Sequence, residues 1–180
     1  DSIKQGSKQA IQKLKALGIK NAVMFTGDNQ TTANQISKEL ELDKCYSELL
    51  PQNKVELLED ILKEKNTGKV IFVGDGINDA PVLARADIGI AMGGIGSDAA
   101  IEAADVVIMN DDISKIEDGI VIARNTNKIV NQNIIFALGV KAVVLILGAM
   151  GIATMWLAVF ADVGVALIAI LNSMRRKIAK

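Results

Sequence analysis

Apolar positions recur at helical spacing through Ile3, Ala10, Ile11, Leu14 and Leu17, after which Gly18 supplies a helix stop. "NAVMFTGDN" then reads as a short strand breaking into a polar turn, and Thr31 to Leu42 resumes a helical pattern with Ala33, Ile36, Leu40 and Leu42 on or near one face. "CYSELLP" is ambiguous and fits a short strand followed by a loop. Helix spacing returns from Asn53 to Lys65 through Val55, Leu58, Ile61 and Leu62. Three further apolar runs, "KVIFVG", "IGIAM" and "VVIM", read as strands. Strands separated by helical segments predict an α/β domain whose parallel sheet is covered on both faces.

The pattern changes after Asn131. From Ile134 to Met174 the only charged residues are Lys141 and Asp162, and the periodic polar face disappears. A membrane span takes about 20 apolar residues. The tract has room for two spans, Ile134 to Ala153 and Met155 to Leu171, divided near Gly148 to Thr154. A pair of buried helices in a soluble protein is the other reading, but little polar surface remains to meet water. Arg124 and Lys128 precede the tract, and Arg175, Arg176 and Lys177 follow it. A hairpin returns both basic flanks to one side, which the positive-inside rule assigns to the cytoplasm, and Trp156 suits the opposite interface.

Composition narrows the chemistry. The 20 Lys and Arg nearly balance the 21 Asp and Glu, so no global field recruits nucleic acid. The chain has no histidine and one cysteine, Cys45. The commonest general base is therefore missing and no internal disulfide is possible; metal chemistry within the chain rests on oxygen ligands.

Ligands of parallel α/β sheets gather beyond the carboxyl ends of the strands, where "FTGDN" and "VGDGIND" fall. In the second, Gly74 and Gly76 permit close approach or positive φ, and Asp75 and Asp79 are one helical turn apart. They can converge on Mg²⁺, which accepts one or two carboxylates with waters and phosphate oxygens. The bland alternative is an acidic turn in which Asn78 and Asp79 cap the following helix. In the first, the Thr26 hydroxyl, the Gly27 N–H and Asp28 could hold a phosphoryl oxygen at a helix start, or form an ordinary capped turn. Lys54, after "PQN", could bring positive charge to a phosphoryl group, or be a solvated surface lysine. "MGGIGSDAA" lacks the lysine of a P-loop and the spacing of a dinucleotide fingerprint, and reads as a strand-to-helix turn near the site.

"FTGDN", "PQNK" and especially "VGDGINDAPVLARADIGIAMG" resemble the C-terminal half of the phosphorylation domain of P-type cation-transporting ATPases, whose catalytic core is a Rossmann-like fold of the haloacid-dehalogenase type. The resemblance covers essentially the whole chain. It implies that Asp75 is a Mg²⁺ ligand supported by Asp79, that Thr26, Gly27 and Asp28 belong to the phosphate-site loop, and that Lys54 contacts the phosphoryl region. "DSIK" resembles the family's hinge motif with Lys4 in the place of an arginine, which keeps the charge and loses the bidentate fork.

"NQNIIFALGVK" and "MWLAVFADVGVALIAILNSMR" are similar to the last two membrane helices of the branch that exports Zn²⁺, Cd²⁺ and Pb²⁺; the Tyr-Asn and Met-Ser-Ser patterns of copper exporters do not occur. By this resemblance Asp162 is a transport-site carboxylate and Lys141 its counter-charge. An intramembrane Lys and Asp are functional candidates on physical grounds too, with a purely structural ion pair as the alternative. The implied layout is a partial phosphorylation domain over 1–118, a linking helix over 119–133, two membrane helices over 134–173 and a basic cytoplasmic tail over 174–180. Movement at the phosphate site would pass along the linking helix.

The implied activity is ATP-driven export through an aspartyl-phosphate, with Mg²⁺ and ATP as cofactors and the bilayer and the rest of the same ATPase as partners. The family's Asp-Lys-Thr-Gly-Thr nucleophile string, its Thr-Gly-Glu actuator loop and its Cys-Pro-Cys membrane helix do not occur in this sequence. The fragment alone is therefore expected to be inactive. A membrane-tethered phosphatase of the same superfamily and a non-catalytic regulator are the alternatives.

Overall fold

The computed structural model describes residues 3–4, 6–65, 67–74, 77–93, 98–110 and 112–175. It divides into two compact units, Asp1–Glu117 and Asp118–Lys180.

The first unit alternates helices and strands: α1 (Ser7–Ala16), β1 (Val23–Phe25), α2 (Gln30–Leu40), β2 (Lys44–Tyr46), α3 (Pro51–Glu64), β3 (Ile71–Gly74), α4 (Ala80–Leu83), β4 (Ile88–Met92), α5 (Asp98–Ala103) and β5 (Val106–Ile108). A 3₁₀ turn over Ile77–Asp79 leads into α4. Gly18 ends α1 at φ 91°, while the Ile19 N–H bonds the Leu14 carbonyl at 3.2 Å, a left-handed helix stop of the kind glycine favours.

All strand pairs are parallel, but they form two sheets, β1–β2 and β3–β4–β5, where the sequence pattern suggested one. β1 pairs only with β2 and β3 only with β4, so among the described residues each keeps one unpaired edge. The Phe25 and Phe72 rings of these two strands lie 6.1 Å apart. Leu83, Ala91 and Ala100 form the centre of the core, with Phe72 and Val107 packed against it. Gly89 has a steric reason to be glycine, because a Cβ there would come within 2.5 Å of the Leu83 carbonyl oxygen.

Three aspartates tie the amino ends of the strands together. Asp43, Asp87 and Asp105 each immediately precede a strand and accept the N–H of a residue on the neighbouring strand or just before it: Ala22 at 2.7 Å, Val70 at 2.8 Å and Gly89 at 2.8 Å. Lys65, the Val70 N–H and Lys69 together hold the Asp87 carboxyl far below the ordinary carboxylate range. Its depressed folded-state pKa makes that stabilisation complete above about pH 4 and lost as pH falls further. These acids fasten the sheet at the edge opposite the candidate chemistry.

The second unit is a helical hairpin. It contains most of α6, one unbroken helix over Lys115–Ala149, followed by α7 (Met155–Val159), a π-helical turn (Phe160–Gly164) and α8 (Val165–Met174). α6 stops at Ala149, short of the Ala153 expected from hydropathy. Gly151 at φ 74° closes it there, with Ile152 N–H bonded to the Leu147 carbonyl at 2.9 Å. Both helical segments, Lys115–Ala149 and Met155–Met174, are long and apolar enough to cross a membrane. Most of the large apolar side chains from Ile134 to Met174 face outward, Trp156 among them.

Candidate functional site: a Lys–Asp pair at the strand ends and a second in the hairpin

The "PQNK" segment is built to aim its lysine. Pro51 occupies the first turn of α3, where a missing N–H costs nothing, and the Asn53 Oδ1 accepts the Leu50 N–H at 3.2 Å. Lys54 is thereby fixed in the first turn of a helix that Leu58, 1% exposed, anchors to the core. Its Nζ donates to the Asp79 Oδ1 at 2.8 Å, with both side chains largely buried (16% and 12% exposed). A surface lysine would not be held in this way.

Asp79 stands at the N-cap of α4 but makes no side-chain capping bond. The capping explanation therefore does not account for it: its carboxylate is turned to Lys54. Gly74, at the end of β3, permits this. A Cβ at Gly74 would lie 2.8 Å from the Asp79 Cβ and 2.9 Å from its Oδ2. Close approach is thus what this position requires, and its φ is not positive. Gly74→Ala is expected to push Asp79 off Lys54 and to lower the unfolding temperature, since overpacking a close contact costs about 1–3 kcal/mol. Thermal unfolding of the variant beside the parent protein checks this.

At the end of β1 the Thr26 hydroxyl donates to the Asp28 Oδ2 and accepts the Asp28 N–H, both at 3.0 Å. Asn29, not Asp28, caps α2 by accepting the Thr32 N–H at 2.9 Å. The capped-turn reading thus accounts for Asn29, while Thr26 and Asp28 form a tight loop at the strand end. Thr26, Gly27, Lys54 and Asp79 line one open cleft of about 820 Å³, together with Lys4 and Asp112. Asp28 does not line it. Asp75, Gly76 and residues 94–97 of the glycine-rich turn lie outside the described residues. Among the described residues no cluster of three or more acidic, His or Cys side chains is arranged to hold a metal ion.

The cleft is also bordered by Ile113 and Ser114, just before α6 begins. The Asp112 Oδ1 accepts the Ser114 N–H at 2.9 Å, and Ser114 through its side chain and backbone holds the Asp112 carboxyl below its ordinary range. The sequence pattern had not singled out this turn.

In the hairpin the Lys141 Nζ lies 3.8 Å from the Asp162 Oδ1, bringing together the two charges of the apolar tract. Asp162 sits in the π turn, a distortion that hydropathy did not reveal. Such turns inside helices are frequent at functional sites.

Residues 1–87 match the family model of haloacid dehalogenase-like hydrolases, in agreement with the alternating parallel fold and with acidic residues at its strand ends. Over 97% of its length the chain is 60% identical to the cadmium, zinc and cobalt-transporting ATPase of Bacillus subtilis (strain 168), and 55% identical to the zinc-transporting ATPase of Synechocystis sp. (strain ATCC 27184 / PCC 6803 / Kazusa). It spans about a quarter of each, 25% and 24%. The crystal structure of a zinc-transporting PIB-type ATPase in its E2.Pi state is similar with a TM-score of 0.89 and 37% identity, over 97% of this chain and 28% of that one. The chain belongs to the heavy-metal branch of the P-type ATPases, as a C-terminal part of the phosphorylation domain followed by two membrane-length helices.

Proposed function

We propose that this chain supplies the phosphoryl-handling cleft and part of the cation path of an ATP-driven exporter of Zn²⁺, Cd²⁺ or Pb²⁺ that works through an aspartyl-phosphate. The observation that carries the reading is the Lys141–Asp162 pair: two opposite charges 3.8 Å apart on helices of membrane length. A charge at the bilayer centre costs about 2.5–3.5 kcal/mol on insertion scales, so such residues face a protein interior or a water-filled path and mark ion routes. Asp162 is 80% exposed within this chain, which fits a carboxylate covered by the other spans of a larger protein. Lys141 would hold it when the cation is absent and act as a built-in counter-charge after release.

In the cleft, Lys54 would place its ammonium beside the transferring phosphoryl group, and Thr26 with the Gly27 N–H would bind its oxygens. Asp75 and Asp79 are hard oxygen donors suited to Mg²⁺, which needs only one or two carboxylates when phosphate oxygens and waters complete its shell. When bound, Mg²⁺ would offset charge on the phosphoryl oxygens. The nucleophilic aspartate would come from another part of the same protein, on a strand able to pair with the unpaired edges of β1 and β3. The nucleotide-binding and actuator domains and the remaining membrane segments would be further parts of that protein, in a cell membrane with the first unit on the cytoplasmic side.

The test is to trap the intermediate. The complete protein, mixed with γ-labelled ATP and Mg²⁺, should form an acid-stable, hydroxylamine-sensitive phosphoenzyme whose level depends on the transported metal. Label that is absent, or unaffected by any heavy metal, would overturn the proposal.

A further inference from the structure

The Lys141–Asp162 pair does not hold itself in place. Its charges are 3.8 Å apart and both side chains are exposed, and apolar packing between the helices gives little help. Among the described residues of the hairpin only Ala161 and Val165 are buried, and α6 buries none beyond Ile116. Inside a membrane, helices of this kind gain no hydrophobic drive to associate, and interhelical hydrogen bonds take a larger share of the specification.

Among the described residues such bonds occur at one level of the hairpin. On α6, the Asn133 Nδ2 donates to the Ala169 carbonyl at 3.1 Å and to the Ser173 Oγ at 3.0 Å. On α8, the Asn172 Nδ2 donates back to the Asn133 Oδ1 at 2.8 Å. Both amide protons and the carbonyl oxygen of Asn133 are therefore committed to the facing helix. Asn172 is further held by the Arg175 Nη1 at 3.3 Å, and Ser173 by its own bond to the Ala169 carbonyl at 2.9 Å.

We propose that Asn133, Asn172 and Ser173 form a clasp that sets the register of the two helices and so positions Asp162 opposite Lys141. Lys141 is eight residues beyond Asn133 and Asp162 ten before Asn172. At about 1.5 Å per residue the arms would be about 12 and 15 Å, which in two regular helices would carry Asp162 past Lys141. The π turn takes up about one residue of the excess, because its bonds close over five residues in place of four. The lysine stem spans what remains. Clasp and π turn together explain why these two charges meet. A slip of one residue would rotate Asp162 about 100° around its helix and carry it off the pair. These asparagines are positioning residues and touch no transported ion. The proposal rests on the reading of Lys141 and Asp162 as the transport pair.

Cross-linking in the complete protein in native membranes tests the register directly and needs no transport. Lys141→Cys and Asp162→Cys are introduced together, a short bis-methanethiosulfonate reagent that captures both thiols with release of sulfinate is added, and the linked peptide is quantified by mass spectrometry. Removing the ion pair in this way leaves the clasp as the register-setting contact. Asn133→Leu and Asn172→Leu are each expected to lower the yield about threefold or more, and Ser173→Ala, which keeps the Asn133–Asn172 bond, by less. Equal yields in all backgrounds would overturn the proposal.

With Lys141 and Asp162 restored, Asn172→Leu is expected to raise the half-saturating Zn²⁺ concentration for ATP hydrolysis about tenfold and to change kcat little. A fall in kcat at unchanged half-saturation would contradict it. If Asp162→Ala retains metal stimulation, the transport reading fails, while the cross-linking result still decides what the clasp does.

Discussion

Replacing Lys54 by alanine in the complete protein is expected to slow phosphoenzyme formation from ATP by about 10²–10³-fold, the usual loss when one preorganised charge-stabilising donor is removed. The lysine stem lies in the first turn of α3 and its ammonium is held 2.8 Å from Asp79 beside the cleft. Two partly buried charges in this geometry are pre-oriented, so little reorganisation is needed as the phosphoryl group passes. Loss of a merely structural partner would show mainly as a lower unfolding temperature. Lys54→Arg separates the two roles: it restores the charge and a bond to Asp79, yet its planar fork cannot reproduce a compact ammonium. Rapid-quench measurement with labelled ATP reads the rate, and a Lys54→Ala rate within about threefold of the parent would refute the role on the scale expected for such a donor.

The second large effect is in the hairpin. Asp162→Ala is expected to abolish metal-stimulated ATP hydrolysis while leaving protein insertion intact, because removing a charge lowers the insertion cost by about 2.5–3.5 kcal/mol. A purely structural ion pair predicts a different outcome. Losing Asp162 would then strand Lys141 within the membrane, while metal binding and stimulation persisted in whatever protein remained folded. Equilibrium binding of Zn²⁺ beside steady-state hydrolysis distinguishes the two, and unchanged binding and stimulation in Asp162→Ala would end its assignment as a transport-site carboxylate.

Legibility in the sequence followed the range of the interaction. Lys141 and Asp162 stood out because an apolar tract makes any charge conspicuous, and their separation in the chain matched a hairpin. Asp79 was legible from its spacing to Asp75, whereas the direction of its carboxylate depends on Gly74 and Lys54, the latter 25 residues away in sequence. Local spacing alone left Lys54 among surface lysines; what selects it is a tertiary contact.

Other features left no local trace. A helix apolar on all sides carries no phase, so the π turn at Phe160–Gly164 could not be read from periodicity. The Asn133–Asn172 bond joins positions 39 residues apart. The separation of β1–β2 from β3–β4–β5 is likewise a matter of sheet order, which strand patterns do not encode. By contrast two of the aspartates that fasten the strand starts had a readable signal: in "ADIG" and "ADVV" an Asp stands directly before an apolar run, whereas in "LDKC" Lys44 intervenes. That signal separates the structural acids Asp87 and Asp105 from Asp28 and Asp79, which fall beyond strand carboxyl ends.

In the proposed function one protein joins a phosphoryl-transfer cleft to a heavy-metal path through the membrane. ATP hydrolysis by the complete protein, measured with Mg²⁺ across Zn²⁺, Cd²⁺, Pb²⁺, Co²⁺, Ca²⁺, Na⁺ and K⁺, tests it most directly. Stimulation by the heavy divalent ions is expected, lost in Asp162→Ala, with no response to Na⁺, K⁺ or Ca²⁺. Hydrolysis indifferent to every heavy metal, or driven by a monovalent ion, would contradict it.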